Sequence, residues 1–489
     1  MWQSNVKRRA AALFMIPVLI MLFMIPVSVE TSAGTLIPAN VNLSVDGGEA
    51  GIVRALNVSY FNNTYISLRD TAVLLSGSSR QFNAEVNGGS IVIKTGEPYS
   101  DEFSHTGYEE EKLEQYSGAE PAVNPLTVND EERRYFTLIV NLGDHYDCFI
   151  SPMDLGMIID ADFDINESGI KVNTSEGFKI NPARMEAYGF FDGVNTVVVG
   201  DATTGEVFYA FNPEEPQPIA STTKLMTYLV TMDAVSAGKI TLEDTVTISA
   251  EAARLSASQD GSVALKEGWE IPVAELIIGA LLPSSNECAL TLAEYVGGSE
   301  EEFVKLMNEE AENLSLSTAM FYNSNGLPIY TDNVIAAKTQ NKMSGYDMFR
   351  LCAHIVTKYP MVKDITSQKR GKLPSLGLEL KNTNGLLYNL PEVNGLKTGT
   401  TDKSGACLVT SLTVQGSDGP HDLIVVVLGA ENSQGRLRVS ELMARYGRDV
   451  IGGKAAKIGY ALNAPEEGEK KLTAEVLIKM VVDHALNSK

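Results

Sequence analysis

The sequence is poor in the residues that build metal knuckles and disulfide frameworks. Its 489 residues hold four cysteines, Cys148, Cys288, Cys352 and Cys407. Their wide spacing gives no CxxC pair and argues against a disulfide scaffold. The five histidines (105, 145, 354, 421 and 484) are scattered, and no HExxH occurs, which argues against a zinc peptidase of that pattern. Positive charge is also scarce. Lys and Arg number 39 against 62 Asp and Glu, a net charge of −23. A nucleic-acid partner calls for a basic footprint, so the reading is no nucleic acid. The acid excess fits a solvated, exported or surface protein. Apolar residues are 44% and charged residues 21%, so real cores can form, and the length suggests about three domains.

The chain has one N-terminal run long enough to span a bilayer. Lys7, Arg8 and Arg9 precede Ala10 to Val29, which is uncharged, strongly apolar and interrupted by Pro17 and Pro26. Polar Glu30-Thr-Ser-Ala-Gly34 follows. This order is that of a secretory signal over 1–33, with Ala33 a candidate last residue. An uncleaved membrane anchor is the rival reading. Both put the remaining chain outside the cytoplasm.

The region 38–176 reads as a duplicated small α+β domain. Tyr65-Ile-Ser-Leu-Arg-Asp70 and Phe149-Ile-Ser-Pro-Met-Asp154 share Ile-Ser, then an Asp three residues after that Ser, then an apolar stretch. Val86 to Thr95 aligns with Ile165 to Thr174 without a gap. Each copy reads as strand, short helix, turn, strand. An acidic loop, 101–132, separates the copies and reads as solvated surface. Asn63 to Asp70 and Gln81 to Ile93 resemble the copper amine oxidase-like N-terminal domain of Gram-positive surface proteins. That resemblance implies a stalk or wall-associated module. It implies no copper here, because His105 and His145 stand alone.

The chemistry lies after residue 176. Thr196 to Gly200 and Glu206 to Ala210 read as a β-hairpin. Ser221-Thr-Thr-Lys224 precedes Leu225, Met226, Leu229, Val230 and Met232 at helical spacing, so Ser221 and Lys224 fall one turn apart on one face. A serine hydroxyl needs a neighbouring base, and a lysine serves if burial or a nearby cation lowers its pKa. The bland alternative is an N-cap serine and a surface lysine. Ser4-Asn-Val-Lys7 shows that SxxK alone is weak. Ser284-Ser-Asn286 follows the apolar run Leu276 to Leu282 and opens another helical pattern; in isolation it reads as a helix cap. Lys397-Thr-Gly399 lies near the apolar runs Cys407 to Thr410 and Ile424 to Leu428, which read as strands. Lys94-Thr-Gly96 is its decoy. The ordered set SxxK, SxN, KTG within residues 221–399 decides, because it is a known signature of penicillin-binding proteins and class A β-lactamases.

Residues 178–450 therefore resemble serine-type D-alanyl-D-alanine carboxypeptidases, the low-molecular-weight penicillin-binding proteins (peptidase family S11-like). Ala220 to Met226, Ser284 to Asn286, Phe321 to Leu327, Gly395 to Thr401 and Arg436 to Gly447 carry the resemblance. It implies an α/β penicillin-binding (β-lactamase-like) fold, an antiparallel sheet flanked by helices plus a helical subdomain. It implies Ser221 as acylated nucleophile, Lys224 as base and Ser284 as proton shuttle. Asn286 would hold the substrate amide, and Lys397 and Thr398 the terminal carboxylate. Gly399 would let the strand approach the ligand. The N–H groups of Ser221 and Thr400 would form the oxyanion hole, and Arg436 would add charge. The implied partners are peptidoglycan stem peptides ending in D-Ala-D-Ala, β-lactams as inhibitors, and the cell wall or membrane surface. No metal or organic cofactor is required. The tail, 451–489, carries an amphipathic pattern at Leu472, Val476, Leu477, Met480, Val481 and Leu486, which reads as packing on protein. The rivals are a β-lactamase, for which Glu309 to Asn313 reads as helix surface, and a non-enzymatic wall-binding protein.

Overall fold

A computed structural model describes residues 29–458, apart from interruptions at 32–33, 59–62, 88–89, 101–121, 142–144, 167–168, 183–184, 186–190, 192, 259, 332–333 and 336–338. The signal over 1–33, but for a short strand at 29–31, and the helix pattern of the tail lie outside these residues. The chain divides into two compact units, 1–179 and 180–489.

The first unit is built on one sheet. The same order of elements occurs twice, in 34–95 and in 122–173: hairpin, strand, helix, hairpin. The strands Asn63–Ser67 and Tyr146–Ile150 pair antiparallel at its centre. Each leads into a short helix capped by the serine that the sequence repeats. Ser67 accepts from the Asp70 N–H, and Ser151 from the Asp154 N–H. Asp70 additionally takes the buried Arg54 guanidinium at 2.8 Å. The copies exchange their last hairpins. Gly169–Asn173 pairs in parallel with Gly34–Val45, and Ser90–Thr95 in parallel with Ala122–Val128. The expected pattern of strand, helix, turn, strand thus missed one strand per copy and the hairpin before it. The expected loop 101–132 is also corrected at its end. Ala122–Val128 and Glu131–Asn141 form a hairpin, because Asn129 and Asp130 both take positive φ and make a two-residue turn matching strand twist. The decoy Lys94 ends in an exposed ion pair with Asp130 on that hairpin's turn.

The second unit holds a five-stranded antiparallel sheet. Its spatial order is Glu206–Phe211, Thr196–Asp201, Pro420–Ala430, Gly405–Gln415, Val393–Thr401. The runs Val197 to Val199 and Leu423 to Leu428 are apolar without alternation because both faces are covered. Val198, Ile424, Val426 and Leu428 face a large core shared with Met348, Phe349 and the helices Lys224–Ser236, Val273–Leu281 and Asn286–Gly297. Val199 and Leu423 face the other way, against Gly447 of the closing helix Ser433–Ile451. Each such fully buried side chain contributes about 1.5–3 kcal/mol of transfer free energy. The strand Val393–Thr401 lies at the sheet edge, so one row of its backbone groups is left unused by the sheet.

Candidate active site

Ser221 lies in a 3₁₀ turn, Ala220–Thr223, and Lys224 opens the α-helix that follows. Ser221 is not a helix cap, and Lys224 is not a surface charge: its side chain is completely buried. Lys224 Nζ reaches Ser221 Oγ at 2.8 Å, Asn286 Oδ1 at 2.7 Å and the Asn325 carbonyl at 2.8 Å. Ser221 itself remains partly accessible. Burial lowers the Lys224 pKa to about 7, and the Glu287 carboxylate and Cys288 act against that shift. Of the two causes considered from the sequence, burial lowers Lys224 and a nearby cation does not. Repulsion between the two lysines is felt at Lys397, which burial, Lys224 and Arg436 hold well below the ordinary lysine range.

The SxN segment divides its labour. Ser285 caps the helix Asn286–Gly297 by accepting from the Cys288 N–H. Ser284, one residue earlier, sits at φ +70° with no side-chain hydrogen bond among the described residues. Ala220, the first residue of the 3₁₀ turn that holds Ser221, is also left-handed at φ +46°. Such backbone costs a non-glycine residue of order 1–3 kcal/mol. Both polar atoms of Asn286 are already engaged, Oδ1 by Lys224 and Nδ2 by the Asp260 carbonyl at 2.8 Å. Oδ1 keeps a second lone pair and Nδ2 a second N–H, so these contacts do not use up the capacity that the expected grip on a substrate amide requires.

The edge strand brings in the KTG residues. Gly399 approaches the nucleophile turn, not open space: a Cβ there would lie 2.9 Å from Ser221 N and 3.1 Å from the Ile219 carbonyl. Lys397 is buried and donates to its neighbour's carbonyl, Thr398 O, at 2.9 Å. Thr398 Oγ1 lies 2.5 Å from Thr383 Oγ1. Arg436, on the closing helix, donates to the Gly399 carbonyl at 3.2 Å and to Thr400 Oγ1 at 3.1 Å. Thr400 is exposed.

Sequence reasoning missed several supports. The Asn325 carbonyl is one of three acceptors of Lys224. Gly326, at φ +90°, packs so closely on the Ala220 carbonyl that no Cβ would fit. Asn341 ties this segment to the nucleophile turn through Thr223 Oγ1 at 3.0 Å and the Asn323 carbonyl at 2.9 Å. The signal was the dense Asn-Ser-Asn-Gly run at 323–326, within one of the stretches that carry the resemblance.

A family profile described as D-alanyl-D-alanine carboxypeptidase matches residues 193–432. The D-alanyl-D-alanine carboxypeptidase DacF of Bacillus subtilis is 34% identical over 244 residues, 49% of this chain and 58% of that protein. A D-alanyl-D-alanine endopeptidase of Pseudomonas aeruginosa is 30% identical over 236 residues, 47% of this chain and 70% of its own length. The chain belongs to the D-alanyl-D-alanine carboxypeptidase family. All nine motif positions except Arg436 fall inside the matched carboxypeptidase region, and Arg436 follows it by four residues. The chain spans 58% of DacF and 62% of the carboxypeptidase DacD of Escherichia coli. Among solved structures, penicillin binding protein 6B of Escherichia coli is 32% identical, with 52% of this chain and 76% of that one covered at a TM-score of 0.46.

Among the described residues no group of three His, Cys, Asp or Glu converges as a metal site. All four cysteines are buried and unpaired. Among the same residues no helix is long and apolar enough to cross a membrane.

Proposed function

We propose that this chain is a serine-type D-alanyl-D-alanine carboxypeptidase, which removes the terminal D-alanine of peptidoglycan stem peptides through an acyl-enzyme and is acylated by penicillin. One observation carries the proposal. Of the three partners of Lys224 Nζ, the Asn286 and Asn325 oxygens can only accept, whereas Ser221 Oγ can also donate. When Lys224 loses its proton, two N–H groups stay fixed by those oxygens. The lone pair is then left facing the Ser221 hydroxyl. A pKa of about 7 makes roughly half of Lys224 neutral at pH 7.

The reaction follows. Ser221 Oγ attacks the carbonyl carbon of the penultimate D-alanine as its proton passes to Lys224. The Ser221 and Thr400 N–H groups hold the oxyanion. Collapse breaks the C–N bond, and Ser284 relays a proton to the departing amine. Water then attacks the ester and gives its proton to Lys224; the acyl C–O bond breaks, Lys224 returns that proton to Ser221 Oγ, and the shortened peptide is released. Lys397 and Thr398 take the terminal carboxylate, whose charge favours the protonated form of Lys397. Gly399 gives the strand its close approach. Arg436 acts by fixing Gly399 and Thr400 and by adding positive charge. Asn286 holds Lys224 and, with its remaining N–H and lone pair, the substrate amide.

A β-lactamase reading requires rapid hydrolysis of the acyl-enzyme. Glu309, the carboxylate considered for that task, is exposed on the helix Glu300–Asn313, which does not favour it. The assay is D-alanine release from a peptide ending in D-Ala-D-Ala, run beside penicillin turnover. Release of D-alanine with slow penicillin turnover is expected. Rapid penicillin hydrolysis without D-alanine would overturn the reading in favour of a β-lactamase, and binding without either would favour a wall-binding protein. A cross-linked dimer as second substrate tests the endopeptidase action for which the Pseudomonas relative is named.

We also propose that the protein is exported and acts at the outer face of the cytoplasmic membrane or in the cell wall of a Gram-positive bacterium. Support comes from the basic-apolar-polar order of residues 7–34 and from the substrate's location. On the same footing the first unit is a copper amine oxidase-like stalk that contacts the wall.

A further inference from the structure

We propose that Glu287, outside the motif set, is a positioning residue of this site: it fixes the 260–263 loop that holds Asn286, and it supplies the negative charge that the buried Lys224 faces. The inference rests on the acyl-enzyme reading above. Glu287 is fully buried in the first turn of the helix Asn286–Gly297. Its Oε1 accepts the N–H groups of Ser262, at 2.9 Å, and Val263. In the same loop the Asp260 carbonyl accepts from Asn286 Nδ2 at 2.8 Å, and Asn286 Oδ1 accepts from Lys224. A continuous chain of contacts therefore runs from Glu287 to the base.

The second carboxylate oxygen decides what Glu287 is for. Oε2 is buried, with no hydrogen-bond partner among the described residues. A residue that only pinned the loop could be a glutamine, which offers the same accepting oxygen without the cost of a buried charge. What glutamine lacks is the charge. The groups facing Lys224 are Glu287 and Cys288 from the SxN helix, which favour its protonated form, and the cation Lys397 from the edge strand, with Arg436 beyond it. Burial acts against the proton. Glu287 thus offsets part of the burial and holds Lys224 near neutrality instead of far below it. A carboxylate in a first helical turn also favours the helix dipole, but that role would leave the titration of Lys224 unmoved.

The test uses the full chain and second-order acylation rates with penicillin over pH 5 to 9. Glu287→Gln keeps the loop acceptor and drops the charge. Its acid limb is expected about 1 pH unit below that of the wild type, with the plateau retained within severalfold. Glu287→Ala also frees the loop and should lower the plateau roughly 10- to 100-fold. Glu287→Asp keeps the charge, so its limb should stay at the wild-type position while its plateau drops. A Glu287→Gln limb that coincides with the wild type overturns the proposal, as does a Glu287→Asp limb displaced like that of Glu287→Gln. Where Glu287→Ala fails to fold, those two limbs decide. A wild type that is not acylated at all would instead sink the underlying acyl-enzyme reading.

Discussion

Two lysines carry the same formal charge, yet their surroundings assign them opposite tasks. Lys224 has two obligate acceptors and one reversible partner. Lys397 has one backbone carbonyl and two neighbouring cations. With Lys224 at about 7, wild-type acylation should rise with pH through 7 and level off above it. At pH 5 it should stand about 100-fold below the plateau, since the neutral fraction falls tenfold per unit. Lys224→Arg keeps the charge but cannot give up its proton, so acylation should collapse roughly 10²- to 10⁴-fold at every pH from 6 to 10. Lys397→Arg keeps the cation and should retain a measurable share. Equal rates for the two variants would mean that Lys224 is a structural charge beside the nucleophile. The three motifs were legible because their residue types and order admit few alternatives. The supports were not. The Asn325 carbonyl is a backbone atom with no signature in residue type. Glu287 looks in sequence like any acidic residue in a first helical turn. Only folding shows that Asn286 also holds Lys224.

Among elements, those with strong periodicity or unbroken apolar runs were legible. The hairpin at 196–211, the helix after Ser221 and the two strands near KTG lie where the pattern puts them. The 3₁₀ turn at Ser221 was not visible, because it follows from Ala220's left-handed backbone under Gly326. The exchange of hairpins in the first unit was not visible either, since pairing between distant strands leaves no local pattern. One contact between elements gives a pH test. His421 bridges Asp201 and Asp418, at 2.7 Å on each ring nitrogen, and joins neighbouring strands of the second sheet. Those hydrogen bonds raise the His421 pKa, Asp418 first. A raised folded-state pKa means stability that is fully present below the unfolded value near 6.5 and lost as pH rises through the folded value. His421 also holds the Asp418 pKa down, so that carboxylate's share is present above its unfolded value and lost in acid. His421→Gln should therefore lower the melting temperature by a few degrees at pH 6, with the gap closing by pH 9. A gap that widens at pH 9 would contradict the bridge.

At the scale of the molecule, every residue assigned to the chemistry lies in the second unit, between Ser221 and Arg436. Three stretches distant in sequence meet there: a helix start, a loop before a second helix, and a sheet edge. That convergence needs no cation-rich surface, and the excess of 23 negative charges is free to serve solubility. The central claim is that Ser221 is the nucleophile Lys224 activates. The most direct measurement is to expose the intact protein to a penicillin, read its mass, and map the modified peptide. One adduct per chain is expected, on the peptide that contains Ser221, with none on Ser221→Ala. An adduct that survives Ser221→Ala, or maps to another peptide, would contradict the account.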